Sequence, residues 1–138
     1  VQTCALPIYI ELAKQNAIKH GVEDKIEFRL SNLYENVNET DIFMTISNPP
    51  YIANNYILPT NVKFEPSNAL FGGVVGDELL KDIIKGTNEK KIPYLLCEMG
   101  YDQKAPLENY FKEFNVESYS FYKDYESFDR GFTLKFKI

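Results

Sequence analysis

The sequence of 138 residues predicts one α/β domain, in which helices pack on a largely parallel sheet that ends in an antiparallel pair of strands. Three observations lead to this prediction. Segments of helical periodicity alternate with short apolar segments of strand length. The last two strand-like segments are separated only by "KDYESFDR", which is too short for a helical crossover, so these strands should pair antiparallel. The second strand-like segment leads into "SNPPYI", where two adjacent prolines stop the hydrogen-bond ladder of a sheet.

The helices are predicted from apolar residues that recur on one face. In the first helix, Ile10, Ala13 and Ala17 share a face, and Gly21 is a natural C-terminal stop. The second helix is apolar along one side, and the third has leucine and aromatic residues at positions i, i+3, i+4 and i+7. The predicted helices cover residues 9–20, 76–86 and 103–114.

The strands are predicted from apolar runs and from alternation. The run "DIFMTIS" is apolar on both faces, which indicates a strand in the centre of the sheet. In the last strand, Phe132, Leu134 and Phe136 alternate with polar residues. The predicted strands cover residues 25–31, 41–47, 92–100, 116–122 and 131–138.

The connection from Asn48 to Gly76 has no regular periodicity and is rich in Asn, Pro and Gly. So long a connection in a small domain is usually functional or disordered, and its four aromatic residues argue against disorder. Ligands of such sheets bind beyond the carboxyl ends of the strands. The segment "SNPPY" therefore stands where a functional site is expected.

Composition and charge exclude several classes of protein. The net charge of −5 argues against nucleic-acid binding through a broad, positively charged surface. Two cysteines, Cys4 and Cys97, give neither a disulfide framework nor metal-ligand spacing, and the single histidine His20 excludes a site of several histidines. No apolar run is long enough to cross a membrane. A reducing cytoplasm is the location that this composition favours.

The "NPPY" segment has the groups needed to hold a planar amino group. Asn48 carries an amide oxygen that accepts hydrogen bonds. Pro49 has a backbone carbonyl that can also accept a hydrogen bond, and it has no backbone N–H. Pro49 and Pro50 fix φ and stiffen the loop, and Tyr51 offers a flat face for packing. Two acceptors on the hydrogens of an amino group favour charge build-up on nitrogen and orient its lone pair. The simpler interpretation is a strand-terminating turn with a core tyrosine.

Several segments resemble a known family. "NPPY" after an apolar strand resembles the signature of class I S-adenosylmethionine-dependent methyltransferases that act on planar amino nitrogens. "FEPSNALFGGVVGDELLKDII", "LLCEMGYDQ" and "KDYESFDRGFTL" resemble segments of its HemK type, the protein-glutamine methyltransferases. The matches run in order from about Tyr9 to the C-terminus. The resemblance implies a Rossmann-like sheet, mostly parallel with an antiparallel C-terminal strand.

The resemblance also implies an activity and a set of site residues. The activity is methyl transfer from S-adenosylmethionine to the side-chain amide of a glutamine, usually in the Gly-Gly-Gln loop of a peptide chain release factor. By position, Asn48 would orient the amide, Pro49 would lend its carbonyl and Tyr51 would pack on the substrate amide. The substrate-binding residues that it implies are Pro50, Phe64, Glu65 and Pro66, and the cofactor-binding residues are Asn32 and Asn48.

The N-terminal part departs from the family's pattern. The glycine-rich Asp-x-Gly-x-Gly loop after the first strand is absent, and no carboxylate stands near Cys4, where one would hold the cofactor ribose. Asn32 replaces an aspartate that usually meets the adenine. We therefore expect a chain truncated at its N-terminus, with residues 1–8 aberrant and residues 9–138 forming the C-terminal part of the catalytic domain. Such a chain lacks the first strand, has lost or replaced the second, and should bind S-adenosylmethionine poorly and be inactive alone.

Two other functions stay open. The first is an adenine amino-methyltransferase of DNA or RNA, which would need a positive groove for a base taken out of its stack. The second is a noncatalytic fragment that holds a partner through its aromatic loop. The acidic balance argues against the first, and the missing cofactor loop favours the second.

Overall fold

The structure is a computed structural model that describes residues 2–5, 7–58 and 69–138, with side chains from residue 9 onward. The chain divides into two compact units, Val1–Glu39 and Thr40–Ile138. The α-helices of the described residues are α1 (Pro7–His20), α2 (Glu78–Glu89) and α3 (Lys104–Phe111). The strands are β1 (Gln2–Ala5), β2 (Glu27–Leu30), β3 (Met44–Ser47), β4 (Ile52–Ala53), β5 (Phe71–Gly73), β6 (Tyr94–Glu98), β7 (Val116–Lys123) and β8 (Asp129–Phe136).

The first unit is a β-α-β arrangement. Strands β1 and β2 pair in parallel over four residue pairs, and α1 connects them. The helix ends at the predicted stop, since Gly21 has a φ of 65° and Val22 donates its N–H to the Ala17 carbonyl at 3.0 Å. This is the left-handed termination that glycine favours.

Strand β1 lies in the octet 1–8, for which the sequence predicts no strand and no family resemblance. The structure nevertheless pairs it with β2 along its whole length. Parallel pairing uses backbone groups that every residue except proline carries, so a segment without a clear side-chain pattern can still form a strand. The assignment of residues 1–8 as aberrant stays a prediction.

The second unit contains a four-stranded sheet in the order β3-β6-β8-β7. Strands β3 and β6 are parallel, whereas β8 is antiparallel to both β6 and β7. The antiparallel pair at the C-terminal end is therefore as the sequence predicts.

The position of β3 differs from the expectation. Among the described strands of the second unit β3 pairs with β6 alone and lies at an edge, although its apolar run predicts a central strand. Phe43 and Ile46 are 68% and 74% exposed. An apolar run identifies residues that are suited to burial on both faces, but it does not supply the neighbouring strand that would bury them.

The core of the second unit is built by one face of each helix against the sheet. Leu80, Ile83 and Ile84 of α2 are buried, as their spacing predicts. On α3, the Phe111 ring contacts the Phe132 ring of β8 with centroids 5.2 Å apart. Such aromatic packing contributes beyond the area buried. Helix α3 is shorter than predicted, because the residues after Phe111 form turns.

The helices of the described residues include none that is both long and apolar enough to cross a bilayer. The same part of the chain holds no group of three or more His, Cys, Asp or Glu residues arranged for a metal ion.

Candidate active site

The "NPPY" segment follows β3 at its carboxyl end. Because β3 and β6 are parallel, with Ser47 opposite Cys97, their carboxyl ends lie at the same end of the sheet. The segment after β6 therefore runs beside Asn48 and the residues that follow it. Ligands of α/β sheets bind beyond these carboxyl ends.

The four residues differ in exposure. Asn48 is exposed, Pro49 is buried, and Pro50 and Tyr51 are half-buried. The Asn48 side chain makes no hydrogen bond with any other described residue. An exposed amide without a protein partner has its oxygen available for a ligand. Pro49 is buried beneath it, which limits the movement of the backbone that carries the amide.

A short parallel pair of strands holds the chain immediately after the motif. In the ladder of β4 and β5, Ile52 donates its N–H to the Leu70 carbonyl at 3.0 Å, and Asn54 donates to the Gly73 carbonyl at 2.9 Å. This pair is not predicted from the sequence, because strands of two and three residues have no measurable periodicity.

Two glycines allow the backbones to approach closely at this point. A Cβ atom at Gly72 would collide with the carbonyl oxygens of Pro50 and Gly76. A Cβ atom at Gly76 would lie 2.7 Å from the Tyr51 carbonyl oxygen and 2.7 Å from the Ala53 nitrogen. Gly76 also has a φ of 98°, which side-chain-bearing residues rarely adopt. Gly72 and Gly76 therefore form a packing surface for the motif.

Glu78 closes the turn that presents Gly76. Its carboxylate accepts hydrogen bonds from the N–H groups of Val75 at 2.9 Å and Gly76 at 2.8 Å. The bond from Val75 is the first cause that lowers the pKa of Glu78 below its ordinary value. Glu78 is the first residue of α2, where negative charge is also favoured by the helix dipole.

Gln103 connects the motif to the segment after β6. Its side-chain nitrogen donates to the Tyr51 carbonyl at 2.9 Å, and its side-chain oxygen accepts the Gly100 N–H at 2.8 Å. The residue is only 6% exposed. The sequence did not single it out for a role. The one sequence feature that could have indicated its role is its place in "LLCEMGYDQ", immediately before α3. Gln103 is the N-cap residue of α3, but its side chain makes no capping hydrogen bond to the helix.

Arg130 lies beside this region and pairs with Asp124. The Arg130 Nε atom is 2.7 Å from the Asp124 carboxylate, which raises the pKa of Arg130 and lowers that of Asp124. Asp129, the neighbouring residue, lies 3.7 Å from Lys104, so both residues form ion pairs with other elements. Tyr51 also raises the pKa of Arg130, by less than Asp124 does, whereas burial lowers it.

Cys97 is buried, and its thiol has low reactivity. It is 2% exposed, and burial is the main cause that raises the pKa of its thiol to about 12. Its burial and its raised pKa argue against a thiolate nucleophile at this strand end.

The structure does not test the roles predicted for the remaining site residues. Phe64, Glu65 and Pro66 lie outside the described residues, so their role as a pocket wall stays a prediction. Asn32 lies in the first unit, where its side-chain nitrogen donates to Glu35 at 2.8 Å, and Asn48 lies in the second. A cofactor site formed by both also stays a prediction.

Solved structures define the fold. The N-terminal domain of human METTL16 in complex with SAH is similar with a TM-score of 0.67 and 16% identity, over 99% of this chain and 52% of that chain. A Streptococcus pneumoniae structure described as a putative tRNA (m1A22) methyltransferase gives a TM-score of 0.58 with 13% identity, over 97% of this chain and 52% of that chain. The chain therefore has the α/β fold of class I methyltransferases, as predicted.

Curated relatives narrow the resemblance. A release factor glutamine methyltransferase of Aquifex aeolicus is 37% identical over 132 residues, which are 90% of this chain and 45% of that protein. A bifunctional methyltransferase of Rickettsia bellii is 34% identical over 88% of this chain and 23% of that protein. No protein-family model matches. The resemblance to protein-glutamine methyltransferases is thus confirmed for nearly the whole chain, which spans about half the length or less of these relatives.

Proposed function

We propose that this chain forms the substrate-amide site of a methyltransferase that modifies a glutamine side chain in a peptide chain release factor. The observation that carries the proposal is the exposed amide of Asn48 at the carboxyl end of β3, on a loop stiffened by two prolines. This amide has no hydrogen-bond partner among the described residues. The names of the relatives in Aquifex aeolicus and in other bacteria support the choice of substrate. The proposal places the reaction in the cytoplasm, a location favoured by the cysteine usage.

The chemistry of the site is orientation and electrostatic stabilisation. The Asn48 oxygen and the Pro49 carbonyl each accept one hydrogen of the substrate amide, and Tyr51 packs on the plane of the amide. An amide nitrogen is a poor nucleophile because its lone pair is delocalised into the carbonyl. Two fixed acceptors stabilise positive charge that develops on nitrogen as the new bond to carbon forms. The bond between the methyl carbon and the donor's leaving atom would break as the bond to nitrogen forms, and the leaving atom would keep that electron pair. One of the two amide hydrogens would then leave as a proton to solvent water.

The methyl donor that the resemblance implies is S-adenosylmethionine, which supplies an electrophilic methyl group when bound. The residues of the chain fit this cofactor only in part. The Asn32 oxygen can accept a hydrogen bond from an adenine amino group, and Asn48 would contact the donor from the substrate side. Gly72 and Gly76 pack on the motif's own backbone, and the sequence has no Asp-x-Gly-x-Gly loop. We therefore expect this chain alone to bind the cofactor weakly or not at all.

The test uses a chimera, because the chain covers only part of its relatives. In the chimera this chain replaces the matching segment of the Aquifex aeolicus protein, and transfer of a labelled methyl group to a release factor is measured. We expect Asn48→Ala to lower transfer about 100-fold or more, as loss of one preorganised group does at comparable sites. Asn55→Ala is the matched control, because Asn55 is an exposed asparagine on the same loop beyond the motif.

The outcomes separate the candidate functions. Labelling of the release factor that disappears when its Gly-Gly-Gln glutamine is replaced supports the proposal. Labelling of an adenine-containing duplex in place of the release factor would show an adenine amino-methyltransferase. A folded chimera that labels neither would contradict both enzymatic functions and favour the noncatalytic fragment.

A further inference from the structure

We propose that Gln103 is a positioning residue for the substrate-amide site, which it serves by fixing the peptide group between Tyr51 and Ile52. This inference rests on the proposed function for its kinetic consequence, but its structural part can be tested without any transfer activity.

Gln103 uses both halves of its amide. The nitrogen donates to the Tyr51 carbonyl at 2.9 Å, 52 positions away along the chain, and the oxygen accepts the Gly100 N–H at 2.8 Å. Because Gln103 is 6% exposed, water cannot readily replace either bond. Only a side chain with a donor and an acceptor at this length satisfies both partners.

The bond from Gln103 completes the fixation of one peptide group. The carbonyl of this group belongs to Tyr51 and is held by Gln103, and its N–H belongs to Ile52 and is held by the Leu70 carbonyl at 3.0 Å. Gly76 closes the space next to the same Tyr51 oxygen. Both polar groups of the peptide are thus engaged, and the backbone of Tyr51 has a single orientation.

This fixation bears directly on the motif. Pro49 and Pro50 have no N–H groups, so the motif can form few backbone hydrogen bonds of its own. Its geometry therefore depends on the restrained φ of the two prolines and on the anchor at Tyr51. Loss of the anchor would let the Tyr51 ring move relative to the acceptors on Asn48 and Pro49. A misplacement of about 1 Å in a reacting arrangement can cost about 100-fold in rate.

Gln103→Glu gives the sharpest kinetic test in the chimera. A glutamate accepts the Gly100 N–H as glutamine does, but its ionised form cannot donate to the Tyr51 carbonyl. When protonated it donates again. We expect kcat to fall at least about 10-fold at high pH and to recover relative to wild type as the pH falls, with KM within about twofold. Gln103→Leu should lose kcat at every pH, and Gln15→Glu on the exposed face of α1 is the matched control.

Amide hydrogen exchange of the 138-residue chain gives a second readout. In Gln103→Leu we expect faster exchange in the peptide covering residues 48–58, with unchanged exchange in β7 and β8. Unchanged exchange in residues 48–58 would overturn the inference whatever the activity. Wild-type kcat in both Gln103 variants would also overturn the inference. The same holds if both variants lose kcat equally at every pH and this loss follows a loss of global stability. Failure of the unmodified chimera to transfer methyl groups would instead count against the proposed function.

Discussion

Asn48 and Cys97 lie close to matching ends of neighbouring parallel strands, yet their environments allow opposite chemistry. Asn48 is exposed and has no hydrogen-bond partner among the described residues, whereas Cys97 is 2% exposed inside the sheet. At the scale of single residues, burial rather than intrinsic reactivity decides which side chain meets a substrate. A cysteine is the stronger nucleophile in water, but here its thiol stays protonated because burial raises its pKa to about 12.

The thiol of Cys97 should therefore resist alkylation in the native chain. At pH 8 we expect iodoacetamide to leave Cys97 unmodified in buffer and to modify it fully in urea. Peptide mass spectrometry identifies which cysteine reacts, so any reaction of Cys4 is counted separately. Rapid modification of Cys97 in buffer, at the rate seen in urea, would contradict the burial that the structure gives it.

At the scale of elements, the motif depends on a second segment that lies far from it in the sequence. Strand β5 and the turn closed by Glu78 bring Gly72 and Gly76 against the backbone of Pro50 to Ala53. Both glycines allow close backbone approach because they lack a side chain, and Gly76 also adopts a positive φ that favours glycine. The sequence places them after "NPPY" but gives no indication that they contact it, because pairing between very short strands leaves no periodic signal.

A comparison of Gly76→Ala with Gly21→Ala should separate the effect of a positive φ from the effect of a close backbone contact. Both residues have positive φ, at 98° and 65°, but a Cβ atom at Gly21 would meet nothing within 4 Å. We expect Gly21→Ala to lower the free energy of unfolding by about 1 kcal/mol from backbone strain. Gly76→Ala should cost clearly more, because its Cβ also meets two backbone atoms at 2.7 Å. Urea denaturation measures both, and equal losses would show that the close contact is relieved cheaply.

At the scale of the whole molecule, side-chain periodicity predicted the main elements but not how they are completed. The face of Leu80, Ile83 and Ile84 identified α2, and the short "KDYESFDR" connection identified the antiparallel pair β7 and β8. The candidate site was located by the prolines at the end of β3. Its support from Gln103 was not found, because a bond between residues 52 positions apart leaves no local pattern. The apolar run of β3 predicts a central strand, whereas the expected loss of the first strands predicts an exposed apolar edge. Within the second unit β3 lies at an edge of the sheet, because strand order is set by pairing, not by composition.

The exposed apolar edge of β3 should make the chain self-associate. Among the described strands of the second unit β3 pairs with β6 alone, and Ile46 of β3 is 74% exposed. An exposed apolar edge strand is a surface on which a second copy of the chain can pair. We expect sedimentation velocity to show concentration-dependent association that Ile46→Lys reduces, because a lysine charge on an edge strand opposes edge-to-edge pairing. Ile57→Lys is the matched control, since Ile57 is 88% exposed but follows β4 outside any strand. A chain that stays monomeric at all concentrations, or an equal effect of the two substitutions, would rule out β3 as the associating edge.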